Sequence, residues 1–209
     1  MGYTHYWRRP REVEMPVMVK IVDDFKKLLP AFGHAGIKLA NGNGQGKPKI
    51  DYAEVWFNGS RHCGHPENKT IAITWPSKNA SGIARPGEQV VSGYWFAGVE
   101  IAKRICDGDC SFETFSFPRV ITDKYCKSSL IEDGKYFSFC KTAFRPYDLA
   151  VICFLIIAKH YLGDKIIVSS DGTNIHWFDG IVLCEYYLHY SAGYVLEHLS
   201  GKDETLTGS

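Results

Sequence analysis

The chain has 209 residues, 45% of them hydrophobic, with 24 lysines and arginines against 23 aspartates and glutamates and a net charge of +1. Such a balance lacks the basic excess with which a protein grips duplex nucleic acid through its phosphates. The 12 Phe, 12 Tyr and 5 Trp supply ample apolar surface for a packed core, which excludes a disordered chain.

The length suits one domain, expected over 1–199 with a flexible tail over 200–209. The longest apolar run, Leu149 to Ala158, is half of the roughly 20 residues that a membrane span needs. The opening residues show no basic start followed by an apolar stretch, so a soluble, cytoplasmic protein without membrane contact is expected. In that setting an odd number of cysteines, seven, points to reduced thiols or metal ligands rather than a disulfide framework. The Asn-X-Ser/Thr triplets at Asn58, Asn68 and Asn79 are then not glycosylation sites.

In chain order, Tyr3 to Trp7 reads as a short aromatic strand. Pro16 suits the first turn of a helix, and Met18, Ile21, Val22, Phe25, Leu28 and Leu29 follow at helical spacing, with the helix predicted to stop before Pro30. Asn41 to Pro48 alternates glycines without a Gly-Lys-Ser/Thr ending, so it is a mobile surface loop and not a phosphate loop. Glu54 to Asn58 and Thr70 to Trp75 read as strands, and Ser77 to Val90 as irregular. Alternation from Trp95 to Ile105 predicts one strand, which Asp107-Gly108 turns into a hairpin with Cys110 to Phe117, ended by Pro118. Thr122 to Gly134 is a loop insertion and Lys135 to Lys141 a strand. Pro146 opens a helix to Leu162, apolar all round and so buried, ending at Gly163. Ile166 to Ser169 and Ile175 to Phe178 read as a second hairpin, and Asp179 as the cap of a last helix to about Tyr190. Three helices and hairpin-linked strands indicate an α+β fold with an antiparallel or mixed sheet.

Four groups of residues carry candidate chemistry. Cys106 and Cys110 flank a tight turn, and Cys63 with His62 or His65 can complete a soft ligand set for zinc if the two loops meet; the alternative is plain packing of small half-buried cysteines. Glu113, on one face with Phe115 and Phe117, can act as a general acid or base, with His5 as its partner, or can simply pair with Arg104 or Lys103. The strand-to-helix junction Lys141 to Asp148 offers Lys141, Arg145 and free helix amides to an anion, unless Asp148 itself offsets the helix dipole and pairs with Arg145. Tyr3, His5 and Trp7, followed by Arg8, Arg9 and Arg11, can stack on a base, or can be a packed aromatic edge strand.

Met1 to Trp7, Cys106 to Phe117 and Phe139 to Asp148 also resemble a group of bacterial and phage proteins, over most of the chain up to about Tyr190. That resemblance implies a prokaryotic or phage, intracellular setting, and it assigns no catalytic role to any position. The leading expectation is an accessory protein that binds a small anionic, nucleotide-like ligand such as a defence signal, with Lys141, Arg145 and the helix start at Asp148 holding phosphate and Tyr3 or Trp7 stacking on the base. The alternatives are a hydrolase, using zinc on Cys63, His65, Cys106 and Cys110 or the pair Glu113 and His5, and an interaction protein that inhibits a host enzyme.

Overall fold

A computed structural model describes residues 2–71, 95–96, 99–100, 103–122, 134–191 and 193–196. Within them, side-chain alternation sets the first element: in β1 (Thr4–Arg9) His5, Trp7 and Arg9 are buried while Tyr6 and Arg8 are half-exposed. β1 is the middle of a three-stranded antiparallel sheet, between β10 (Tyr136–Lys141) and β11 (Ile167–Ser170). The early aromatic segment is thus a central strand, not an edge, and its inward rings are core.

A second antiparallel sheet forms around β4 (Glu54–Gly59), which pairs with β2 (Leu39–Ala40), β3 (Lys49–Ile50) and β9 (Phe115–Pro118). Two further pairs are β5 (Lys69–Ile71) with β8 (Arg104–Cys106), and β6 (Trp95–Phe96) with β7 (Val99–Glu100). The helices are α1 (Met15–His34), α2 (Asp148–Leu162), followed by a 3-10 turn over Gly163–Lys165, and α3 (Asn174–Leu188). This is the expected α+β architecture.

Helix α2 is the centre of the core. Every residue from Leu149 to Ala158 is at most 1% exposed, as an all-round apolar helix requires. The Phe154 ring meets Phe25 of α1 at 5.3 Å and both Phe115 and Phe117 of β9 at 5.0 Å. Among the described residues no helix is long and apolar enough to cross a membrane.

Local sequence signals fail at five places. Helix α1 runs through Pro30 to His34, because the extra turn buries Ala31 and Phe32; burial of a Phe contributes about 1.5–3 kcal/mol, enough to offset much of the cost of an interior proline. The stretch from Trp95 to Ile105 is not one strand, since β6 and β7 pair with each other and β8 pairs with β5. The Asp107-Gly108 turn forms, with Gly108 at φ +81°, yet Cys106 has Lys69 as its strand partner and β9 joins β4 instead. Ile175 to Phe178 lies in α3, started by the reciprocal Thr173–His176 capping box, so Asp179 is an interior helical residue and not a cap. The Asn41 to Pro48 loop is anchored: the Gly42 carbonyl accepts from Asn58 Nδ2 (3.1 Å) and Thr114 Oγ1 (2.6 Å). The readings for Ser77 to Val90, for most of Thr122 to Gly134 and Thr70 to Trp75, and for the tail from Ser200 fall outside the described residues.

Candidate metal centre

Two loops and the end of β8 converge on one corner of the molecule. Cys63 follows β4, and Gly64 at φ +81° reverses the chain so that His65 turns back beside it. Cys106 ends β8, and the Asp107-Gly108 turn carries Cys110 back to it. The loops can meet only because residue 59 has no side chain: a Cβ there would stand 1.9 Å from the Cys110 carbonyl oxygen. The Cys110 N–H then donates to the Ser60 carbonyl at 3.1 Å.

The result is a tight constellation. The Cys106 Sγ lies 3.4 Å from Cys63 Sγ and 3.0 Å from Cys110 Sγ, and His65 Nδ1 lies 3.4 Å from Cys110 Sγ. One ligand atom from each of the four residues falls within 4.8 Å of all the others. The three cysteines are at most 2% exposed, while His65 is half-buried. Ideal tetrahedral coordination with metal–sulfur bonds of about 2.3 Å separates ligand sulfurs by about 3.8 Å, so shifts of under about 1 Å admit an ion. This Cys63–His65–Cys106–Cys110 cluster can hold a metal ion such as zinc. His62 is exposed and takes no part.

The surroundings orient and bias these ligands. His65 is hydrogen-bonded to the Gly36 backbone, and burial first, then the Lys38 and Lys69 charges, lower its pKa, so the neutral ligating imidazole is favoured. Lys38 Nζ donates to the Cys63 carbonyl at 2.8 Å. Burial raises the Cys63 thiol, but a backbone hydrogen bond with His65 and contacts with the other two sulfurs outweigh it and leave the pKa lowered. Burial and its two sulfur neighbours push the Cys110 thiol well up, and burial above all raises Cys106. Three sulfurs this close cannot all ionise without a cation, whereas a divalent ion reverses that balance.

Two residues before Cys106 on the same strand, Arg104 enters a second buried cluster. Its Nε donates to Asp148 Oδ2 at 2.8 Å, and its two terminal nitrogens grip the Asp179 carboxylate. Asp148 also accepts from His5 Nε2 at 2.7 Å and from the Thr142 hydroxyl, and Asp179 from the Gly180 N–H at 2.8 Å. Arg104, Asp148, Asp179 and His5 are all at most 2% exposed. Burial pushes the Asp148 carboxyl upward, but Arg104 and His5 beside it hold the pKa down at about 2. Asp179 is shifted upward, chiefly by burial. Neither Arg104 nor Asp179 was distinguishable in sequence as a network member; a charged residue inside an apolar helical stretch, such as Asp179 between Trp177-Phe178 and Gly180-Ile181, is the signal that was available.

The other sequence-derived candidates are not assembled into one pocket. Tyr3 and Trp7 are 4% and 1% exposed; the Tyr3 ring stacks on Phe144 at 3.7 Å and Trp7 packs on Phe115 at 5.2 Å. His5 is sealed between Asp148 and the edge of Trp177, at 5.2 Å between ring centres. Asp148 does not pair with Arg145, which reaches Asp107 at 2.7 Å, and Lys141 is exposed with Nζ 5.8 Å from the Phe112 ring centre. An anion at the start of α2 would therefore meet the fixed Asp148 charge at its first residue. Glu113 lies in a bend rather than on a strand beside Phe115 and Phe117; its Oε2 accepts from the Lys141 N–H at 2.5 Å, and it does not pair with Arg104, which is occupied by the two aspartates. The chain matches no family model, no curated protein and no solved structure in the comparisons made.

Proposed function

We propose that the protein is a zinc protein in which Cys63, His65, Cys106 and Cys110 bind one zinc ion as a closed, structural site. The observation that carries this reading is the convergence of three buried sulfurs and an imidazole nitrogen within 4.8 Å, from segments some forty residues apart. Zinc prefers this soft donor set, and four protein ligands complete its tetrahedron. A hydrolytic zinc keeps one position for water, so the closed set favours the structural role over the hydrolase reading.

In this role the ion ties the loop after β4 to the end of β8. It thereby fixes the strand that presents Arg104 to Asp148 of α2 and Asp179 of α3, and couples the metal corner to the helical core. The test is elemental analysis of protein purified from cells grown without added metal. One equivalent of zinc, lost in Cys110→Ser, is the expected result. Folded wild-type protein carrying zinc well below one equivalent, and failing to take up zinc or cobalt with a thiolate absorption band, overturns it.

A further inference from the structure

On the opposite side of the β4 sheet from its core, a groove of about 740 Å³ runs between the outer faces of β3, β4 and β9 and strand β10. That volume lies in the range of small-molecule sites. Trp56 lies in it at 39% exposed, and Phe137 and Phe139 of β10 line the facing side, with Phe139 at 51% exposed. Large aromatics left this open on a chain with a well-filled core are an expenditure of apolar surface that packing does not explain.

The tryptophan packs against a glycine. A Cβ at Gly42 would stand 2.1 Å from the Trp56 indole nitrogen, so the indole lies directly against a residue that has no side chain. Gly42 is itself anchored by the Asn58 and Thr114 hydrogen bonds to its carbonyl. The indole therefore has a backbone surface behind it and remains partly open, a surface on which a flat ligand can stack.

Charge decides the ligand class. The titratable side chains among the described lining residues are Lys49 and Glu54, and they pair with each other at 3.2 Å. Among the described lining residues the charges therefore balance, which favours neither an anion nor a cation. The other polar side-chain groups of the described lining are the Trp56 indole N–H and the hydroxyls of Thr114, Ser116, Thr122 and Ser138. Thr114 already donates to the Gly42 carbonyl and Ser116 to Glu54, and each hydroxyl oxygen can still accept. We infer that this groove binds a neutral, flat-faced ligand rich in hydroxyls, a pyranose unit or a nucleoside, stacked on Trp56 with its polar edge toward β9 and β10. Both ligand types share an apolar face and a rim of hydroxyl groups. The site is separate from the metal corner, so its test is independent of the zinc reading.

The experiment is calorimetric titration and saturation-transfer NMR of the full chain with methyl glucoside, cellobiose, adenosine and uridine, with adenosine monophosphate as the charged comparator. At least one neutral probe is expected to bind saturably, and adenosine no more weakly than its monophosphate. Loss of the stacking surface in Trp56→Ala should weaken that binding about tenfold or more, with the melting temperature as the control for folding. Trp56→Phe, which keeps a smaller ring, should fall between the two. The sugar and nucleoside arms distinguish the two sources of the same chemistry. Absence of saturable binding by all neutral probes, tighter binding of the monophosphate than of adenosine, or unchanged affinity in Trp56→Ala overturns the inference.

Discussion

Arg104 and Cys106 stand two residues apart on β8, and both are buried, one in a cluster of charges and the other in a cluster of soft ligand atoms. Around Arg104 the donors of one guanidinium meet the acceptors of two carboxylates, and His5 and Thr142 take up further oxygen positions. The protein completes that cluster by itself. Around Cys106 three sulfurs and an imidazole nitrogen point at one another, a set that gains most when a cation enters among them. The comparison teaches that burial of polar atoms alone does not mark a ligand site. Unlike partners facing each other make a structural knot, whereas like donors facing each other make a receptor for an ion.

The largest effect should come from the charged cluster. Arg104→Met leaves Asp148 and Asp179 buried without their cation and should cost about 3–5 kcal/mol in urea unfolding. Replacing both aspartates by asparagine as well should recover most of the loss, since a removed charge cluster is far less harmful than a broken one. A cost below about 1 kcal/mol for Arg104→Met would mean that the cluster is hydrated and that the contrast with the cysteines is false.

A smaller, pH-dependent effect belongs to Asp148. Its folded pKa of about 2 lies below the ordinary 3.8. The stability it contributes is therefore fully present above 3.8 and is lost as the pH falls through about 2, to the extent of about 2 kcal/mol. Urea melts between these pH values should show the loss in a Cys106→Ser background, where acid release of a metal makes no contribution. The same series on Asp148→Asn in that background should be flat by comparison.

The smallest effect tests whether the two clusters communicate along β8. In a double-mutant cycle measured with zinc present, Arg104→Met and Cys106→Ser should be coupled by about 0.5–3 kcal/mol, because each substitution loosens the strand that the other cluster needs. The coupling should shrink once a chelator has removed the metal. Strict additivity would separate the metal corner from the helical core and confine the ion to fixing its own loops.

Much of the framework was legible because its cause is local. The unbroken apolar run Leu149 to Ala158 can be stable only as a buried element, and Pro146 and Gly163 bound it. The β1 alternation and the Pro118 strand end follow equally from local geometry. Local signals misled wherever a partner elsewhere decided the outcome. Ile175-His176-Trp177-Phe178 has the composition of a strand, yet the Thr173–His176 cap starts a helix there and Trp177 packs as core. Asp107-Gly108 makes a turn as its chemistry dictates, but a turn does not choose the strand that follows it.

Sequence by itself determined the α+β class, the central helix and the identity of four residues able to ligate a metal. It left open whether those cysteines pack or ligate. Only the tertiary structure decided that Cys63 and His65 reach Cys106 and Cys110, through a glycine at position 59 and the β5–β8 pairing, and that Asp148 turns inward to Arg104 instead of toward Arg145. The physical reason is the range of the forces involved. Periodicity and turn chemistry act over a few residues and are written along the chain, whereas ligand convergence and charge pairing depend on which distant segments are brought within a few ångströms.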